Sequence, residues 1–235
     1  MKMPVLDGLI DRRILINYRV RPDIVKALLP PHLEPLVVNG YASAGICLLR
    51  LKDIGIKHFP KPLRITSENA AHRFLVTYAE NGKQVHGVYI PRRDTDSSMN
   101  VLLAGKLLSW PHYPATFNSK EANGHYAVSM ESNDQYSTLS IAAEVSEEFP
   151  TDSMFDSLDH ASTVFQSCPI GVSPSTQAGS YKSILLKTNS WMVKPLVVRK
   201  LQSSYFEDKL AFPETSIQFD NALLMEGIAH EWHSC

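Results

Sequence analysis

The sequence predicts a mainly β fold, a closed or nearly closed antiparallel β-barrel carrying two or three short helices. Runs rich in β-branched and aromatic residues recur along the whole chain. Several are joined by Asn-Gly pairs, at Asn39-Gly40, Asn81-Gly82 and Asn123-Gly124, and this dipeptide tolerates the positive φ of a type I′ hairpin turn. Successive hairpins imply a meander, and about eight or more strands favour closure, which removes exposed edges.

In order, RILINYRV (13–20) reads as the first strand. Pro22 and Asp23 open a short helix in which Ile24, Ala27 and Leu28 share a face, and Pro30 and Pro31 end it. LEPLVV and YASAGICLLRL flank Asn39-Gly40, and HRFLVTYAENGKQVHGVYI repeats the pattern. Asp96 or Ser97 caps a helix running to Leu108. FNSKEANGHYAVSMESNDQYSTLSIAAEV supplies further strands, with turns near Asn123-Gly124 and Ser132-Asn133-Asp134. Ser153 caps MFDSLDHASTVFQ, where Met154, Leu158 and Ala161 recur near one face. SWMVKPLVVRKLQSSYF, bent at Pro195, and TSIQFDNALLM complete the strands. No repeat or linker marks a boundary, so residues 1–235 read as one domain.

Of the 235 residues 44% are hydrophobic and 20% charged, enough apolar surface to offset the entropy of ordering. Lys plus Arg (23) balances Asp plus Glu (24) without a long run of either sign, which argues against nucleic acid or a polybasic membrane patch and leaves a small, roughly neutral partner. Cys47, Cys168 and Cys235 lie far apart and are odd in number, as suits a reducing cytoplasm. MKMPVLDGLIDRR lacks the apolar stretch of a signal peptide, and no segment approaches the roughly 20 apolar residues that span a bilayer.

GxGxxG, GxxxxGK[ST], GxSxG and HExxH are missing, which removes the simplest nucleotide-binding, serine-hydrolase and metalloprotease readings. His230 and His233 are three apart and could share a helix face, but without a third ligand they are a weak metal signal, and a frayed polar tail is the better explanation. Alternation puts Glu68, Ala70, His72, Phe74, Val76 and Tyr78 on one strand face. If that face points inward, Glu68 enters a low-dielectric space where acid/base groups are made, with His72 on the same face; the alternatives are that the face points outward at this end of the strand or that Glu68 merely ties down a neighbouring loop. Arg19 shares the polar-leaning face of the first strand with Arg13 and Asn17, either solvated or reaching inward as a fork for a carboxylate. Trp110-Pro111-His112-Tyr113-Pro114 is a stiff turn that presents an imidazole and a phenol to a ligand or packs as a plain corner.

Three segments resemble the acetoacetate decarboxylase-like superfamily, especially its uncharacterised branch lacking the decarboxylase lysines: INYRVRPDIVKALLPPHLEPL, SENAAHRFLVTY and AGKLLSWPHYPA, with TNSWMVKPLVV as a weaker fourth. The resemblance spans roughly residues 11 to 205 and implies a cone-like barrel around a ligand cavity. It implies further that Arg19 and Glu68 are the cavity arginine and glutamate, and that His112 and Tyr113 stand where the decarboxylases have tandem lysines. Lys106 lies upstream, so an imine mechanism is not expected. The resulting expectation is a cofactor-independent lyase, hydratase or isomerase acting on a small oxo or hydroxy acid. Glu68, His112 and Tyr113 would be catalytic, Arg19 and His72 would bind substrate, no metal or cofactor is called for, and a homo-oligomer is implied. A non-catalytic carrier or sensor on the same barrel is the alternative, and a structural interaction module is third.

Overall fold

The computed structural model describes residues 4–58, 64–103, 110–177 and 179–235. Its strands are β1 (Leu6–Val20), β2 (Glu34–Pro35), β3 (Val37–Val38), β4 (Tyr41–Ile56), β5 (Ile65–Glu80), β6 (Lys83–Thr95), β7 (Tyr113–Ala122), β8 (His125–Ser132), β9 (Thr138–Val145), β10 (Ile170–Pro174), β11 (Tyr181–Thr188), β12 (Lys194–Ser203) and β13 (Ile217–Ser234). The helices are α1 (Pro22–Leu28), α2 (Ser98–Leu103) and α3 (Leu158–Gln166). None of them is long and apolar enough to cross a membrane. All three Asn-Gly pairs adopt positive φ at both residues, 48° and 84°, 50° and 74°, 50° and 78°, and turn β3 into β4, β5 into β6 and β7 into β8.

The long strands β6, β5, β4, β1 and β13 lie side by side, each antiparallel to the next. The outer edges of this sheet each serve two further strands. β6 takes β10 at Gly87–Tyr89 and β7 at Asp94–Thr95; β13 takes β12 at Ala222–Leu224 and β11 at His230–Ser234. The pairings therefore close two rings on one shared sheet, a larger one through β7, β8, β9 and β12 and a smaller one through β10 and β11. Even-numbered side chains of the shared strands, among them Ile14, Ile16, Ile46, Leu48, Phe74 and Val76, pack with Val128, Met130, Leu139 and Ile141. Odd-numbered Leu15, Cys47 and Leu75 pack with Phe155 and Phe165 at α3 and with Cys168. Both faces of the central sheet are buried.

Several elements differ from the sequence expectation. α3 starts at Leu158, because Ser157 rather than Ser153 accepts the first-turn amide of His160; Ser153 instead donates to Asp220 at 2.7 Å. The expected α2 end at Leu108 lies outside the described residues. β12 begins at Lys194, so Pro195 sits at the strand start, where a missing N–H is best tolerated. β10 and β11 were not expected at all. β13 runs on through His230–His233, so the C-terminal stretch is neither frayed nor helical, and strand alternation puts those two histidines on opposite faces.

Gly45 stands between Asn17 and Arg73 in the register. A Cβ there would strike the Ile16 carbonyl oxygen and come within 3.3 Å of Arg73 Nη2, so only glycine lets the Arg73 side chain lie across β4 to reach Asn17. Gly45→Ala is expected to lower stability by about 1–3 kcal/mol through overpacking; an unchanged urea midpoint would remove this close approach from the account.

Candidate functional site

Register assembles a cluster on the odd-numbered face of the shared sheet. Cys47 of β4 pairs with Leu15 on β1 and Ala71 on β5. Arg13 and Arg73 lie two residues from those partners and are therefore diagonal neighbours of Cys47 on the same face. Arg93 of β6 stands opposite Ala71. These residues, with Asn69, His112 and Cys168, line a cavity of about 180 Å³ whose remaining wall is largely apolar, including Leu49, Val88, Ile184 and Trp232. The strands β1, β4, β5, β6, β10, β11 and β13 all contribute, so the cavity lies within the smaller ring. At comparable size, roughly 150 Å³, a cavity holds benzene.

The electrostatics of this cavity are one-sided. Among the described residues no carboxylate lines it, and none pairs with Arg13, Arg73 or Arg93. Arg73 is 2% exposed; its Nη2 donates to Asn17 Oδ1, while its Nε and Nη1 are buried without partners. Arg13 donates to Cys47 Sγ at 3.8 Å and leaves Nε unpartnered. Arg93 donates to Ser173 Oγ. Aromatic faces supply weak compensation: Trp191 at 5.8 Å from Arg13, Phe165 at 4.9 Å from Arg73 and Trp110 at 5.4 Å from Arg93. Burial pushes the Arg73 guanidinium down and lowers Arg93 to about 10. Burial, then the charge of Arg93, push His112 down to about 3, and its Nδ1 is buried without a partner. Buried cations of this kind are normally paired; here the described wall leaves that place open to an anion.

The residues expected from sequence divide. His112 lines the cavity, whereas Tyr113, one position on, turns away and stacks under Arg92 at 4.2 Å. Glu68 lies on the even-numbered face, where Arg12 Nη2 and Arg50 Nε donate to its two oxygens at 2.6 and 2.7 Å and Glu121 joins the same network. With both oxygens occupied by guanidinium groups, Glu68 closes an internal ion network. Arg19 does not meet it. Arg19 faces the odd side, seven positions and so roughly 23 Å of strand beyond Arg12, where it pairs with Asp220 at 3.4 Å and Asp152 at 3.5 Å and pins the 152–155 segment. The expected Arg19–Glu68 floor is thus corrected: alternation and distance both separate the two. His72 is fully buried on the even side, 3.2 Å from Ser137 Oγ and 4.2 Å from the Tyr205 ring; burial, then Arg92, push it down to about 3. It is a neutral core histidine, away from the cavity. Lys106 lies outside the described residues.

Arg13, Arg73, Arg93 and Cys47 were not singled out from sequence. A signal existed in parity, since Arg13 shares the Arg19 face and Arg73 the face opposite Glu68. Nothing local says which face holds a cavity when both are buried.

Arg12 is 2% exposed and pairs with both Glu68 and Glu121, so Glu68→Ala, which strips one of its two carboxylates, is expected to cost about 3 kcal/mol in urea unfolding. A cost within error of zero would count against a structural role. Burial pushes His72 and His112 down to about 3, below the ordinary imidazole range near 6.5. The unfolded chain therefore binds the extra protons, and stability falls as pH drops from about 6.5 toward 3. The pH slope of the urea midpoint should be shallower in His72→Gln; an identical slope would exclude His72 as a group neutral only when folded.

No curated protein matches the sequence. Solved structures with a similar fold include an acetoacetate decarboxylase from Legionella pneumophila (11% identity, TM-score 0.62, covering 99% of this chain and 86% of that one). An acetoacetate decarboxylase-like enzyme from Sphingomonas wittichii follows (11%, 0.60, 99% and 92%), as does the enduracididine biosynthesis enzyme MppR complexed with pyruvate (12%, 0.57, 98% and 87%). At these identities the likeness establishes the fold, an acetoacetate decarboxylase-like one. Residues 10–164 match the DUF2071 family of uncharacterized conserved proteins, and the chain belongs to that family.

Proposed function

We propose that this chain binds a small oxo or hydroxy acid in the cavity between Arg13, Arg73 and Arg93 and acts on it without a cofactor. The observation that carries this reading is the cluster of three guanidinium groups around one cavity with no carboxylate among its described lining. A ligand carboxylate supplies the missing negative charge and accepts from the unpartnered donors in a bidentate fork. It also cancels the Arg93 charge that depresses His112, so the imidazole becomes a better proton acceptor once the acid is bound. The cavity volume suits a ligand of a few heavy atoms, and pyruvate, which MppR holds in its own structure, is a reasonable probe.

A binding role without turnover is the second reading, favoured by the absence of a lysine from the described lining. Incubation of an oxo acid panel in deuterium oxide separates the two: enzyme-dependent exchange at the carbon beside the carbonyl, lost in His112→Gln, supports catalysis, and ligands recovered unexchanged support binding.

The site itself is tested by thermal shift. Pyruvate at a hundredfold excess over its dissociation constant stabilises by about 2.7 kcal/mol. Arg93→Met, which replaces an uncompensated charge with an apolar side chain, should leave the free protein as stable or up to about 4 kcal/mol more so while losing that shift. A shift of equal size in Arg93→Met would place carboxylate binding elsewhere.

A further inference from the structure

The cavity holds a thiol in an unusual position. Cys47 Sγ lies 3.8 Å from Arg13 Nη2 on one side, and Arg73, buried with Nε and Nη1 unpartnered, stands diagonally on the other. All three line the same volume as His112 and Asn69. We propose that Cys47 is a nucleophile of this site, its thiolate adding to the carbonyl carbon of a bound oxo acid. This rests on the carboxylate reading above. The sulfur lone pair forms the new S–C bond, the carbonyl π pair moves to oxygen, and the resulting alkoxide is stabilised by the Arg13 guanidinium. No oxidant, reductant or leaving group is needed, and collapse of the alkoxide restores carbonyl and thiolate. Such an adduct provides covalent capture of a carbonyl without an amine.

The other cysteines serve as internal controls. Burial raises the Cys47 thiol, but Arg73 and Arg13 outweigh it and the net direction is down, toward thiolate. Cys168 lines the same cavity and is pushed up by burial, with Ser167 and Arg73 only partly opposing. Cys235 is exposed and is raised by burial and by Glu80. A thiolate between guanidiniums also predicts an inverted preference among alkylating agents, since the arginines attract a carboxylate reagent and ignore a neutral one.

The test is site-resolved alkylation of the folded protein, read by peptide mass spectrometry, with iodoacetate against iodoacetamide. At Cys47 iodoacetate is expected to react about ten-fold or more faster than iodoacetamide, with a rate that stays level below the ordinary thiol range near about 8.5. Cys235 should show no such preference, and pyruvate should slow the Cys47 reaction. With pyruvate labelled at its carbonyl carbon, the adduct appears as a tetrahedral-carbon NMR signal that is absent in Cys47→Ser. If pyruvate still raises the melting temperature but Cys47 resists both reagents or shows no preference for iodoacetate, or if the tetrahedral signal is missing, the nucleophile is overturned while the carboxylate site stands. If neither the thermal shift nor the iodoacetate preference occurs, both readings fail. The alkylation and the thermal shift both use the wild-type chain, so a Cys47→Ser variant that does not fold cannot obscure either of them.

Discussion

Burial of the central sheet on both faces is the constraint on which the rest depends. Once β1, β4 and β5 are covered on one side by the larger ring and on the other by β10, β11 and α3, polar side chains buried on them need a partner inside the protein. Asn17 finds Asn221 at 2.6 Å, Arg12 finds Glu68 and Glu121, and Arg19 finds Asp220. Arg13, Arg73 and Arg93 find aromatic rings, a thiol, an amide and a hydroxyl, but no carboxylate among the described residues. That contrast separates a charge cluster satisfied within the protein from one left open to the anion proposed above.

The two clusters also differ in the work they can do. Around Glu68 and Glu121, opposite charges already satisfy one another; an incoming anion would compete with carboxylates held at 2.6 to 2.9 Å. Around the cavity no carboxylate among the described residues compensates the positive charge, and Arg73 and Arg13 hold the Cys47 thiol below its ordinary range. In the proposal above, a bound carboxylate relieves this electrostatic cost and ties ligand binding, the basicity of His112 and the state of Cys47 to the same guanidinium groups. A net charge of −1 conceals this, because composition does not say which charges are buried together. The roughly neutral partner it suggested gives way to an anion in the proposal above.

Legibility followed the range of the forces involved. The Asn-Gly turns and the Pro22 helix start were readable because their causes lie within a few residues: backbone φ freedom and a preset proline. Ser153 was mistaken for the α3 cap because its hydroxyl is taken by Asp220, 67 positions away. β10 and β11 went unseen because IGVSP and YKSILLKT are short and carry weak alternation. They are also the strands that close the ring around the cavity, so the strands missed were the ones that make the site.

The sequence by itself determined a mainly β, hairpin-rich fold and an acetoacetate decarboxylase-like pattern, and it singled out His112, which the structure places in the cavity wall just before β7. Only the tertiary structure decided which arginine meets which acid. A strand states that Arg13, Arg19 and Arg73 each lie on one of two faces, but with apolar neighbours on both faces it does not state which face encloses space. Pairing register and ring closure settle that: they carry Arg19 to the far end beside Asp220, lock Glu68 between Arg12 and Arg50, and leave Arg13, Arg73 and Arg93 around a cavity with Cys47 between the first two.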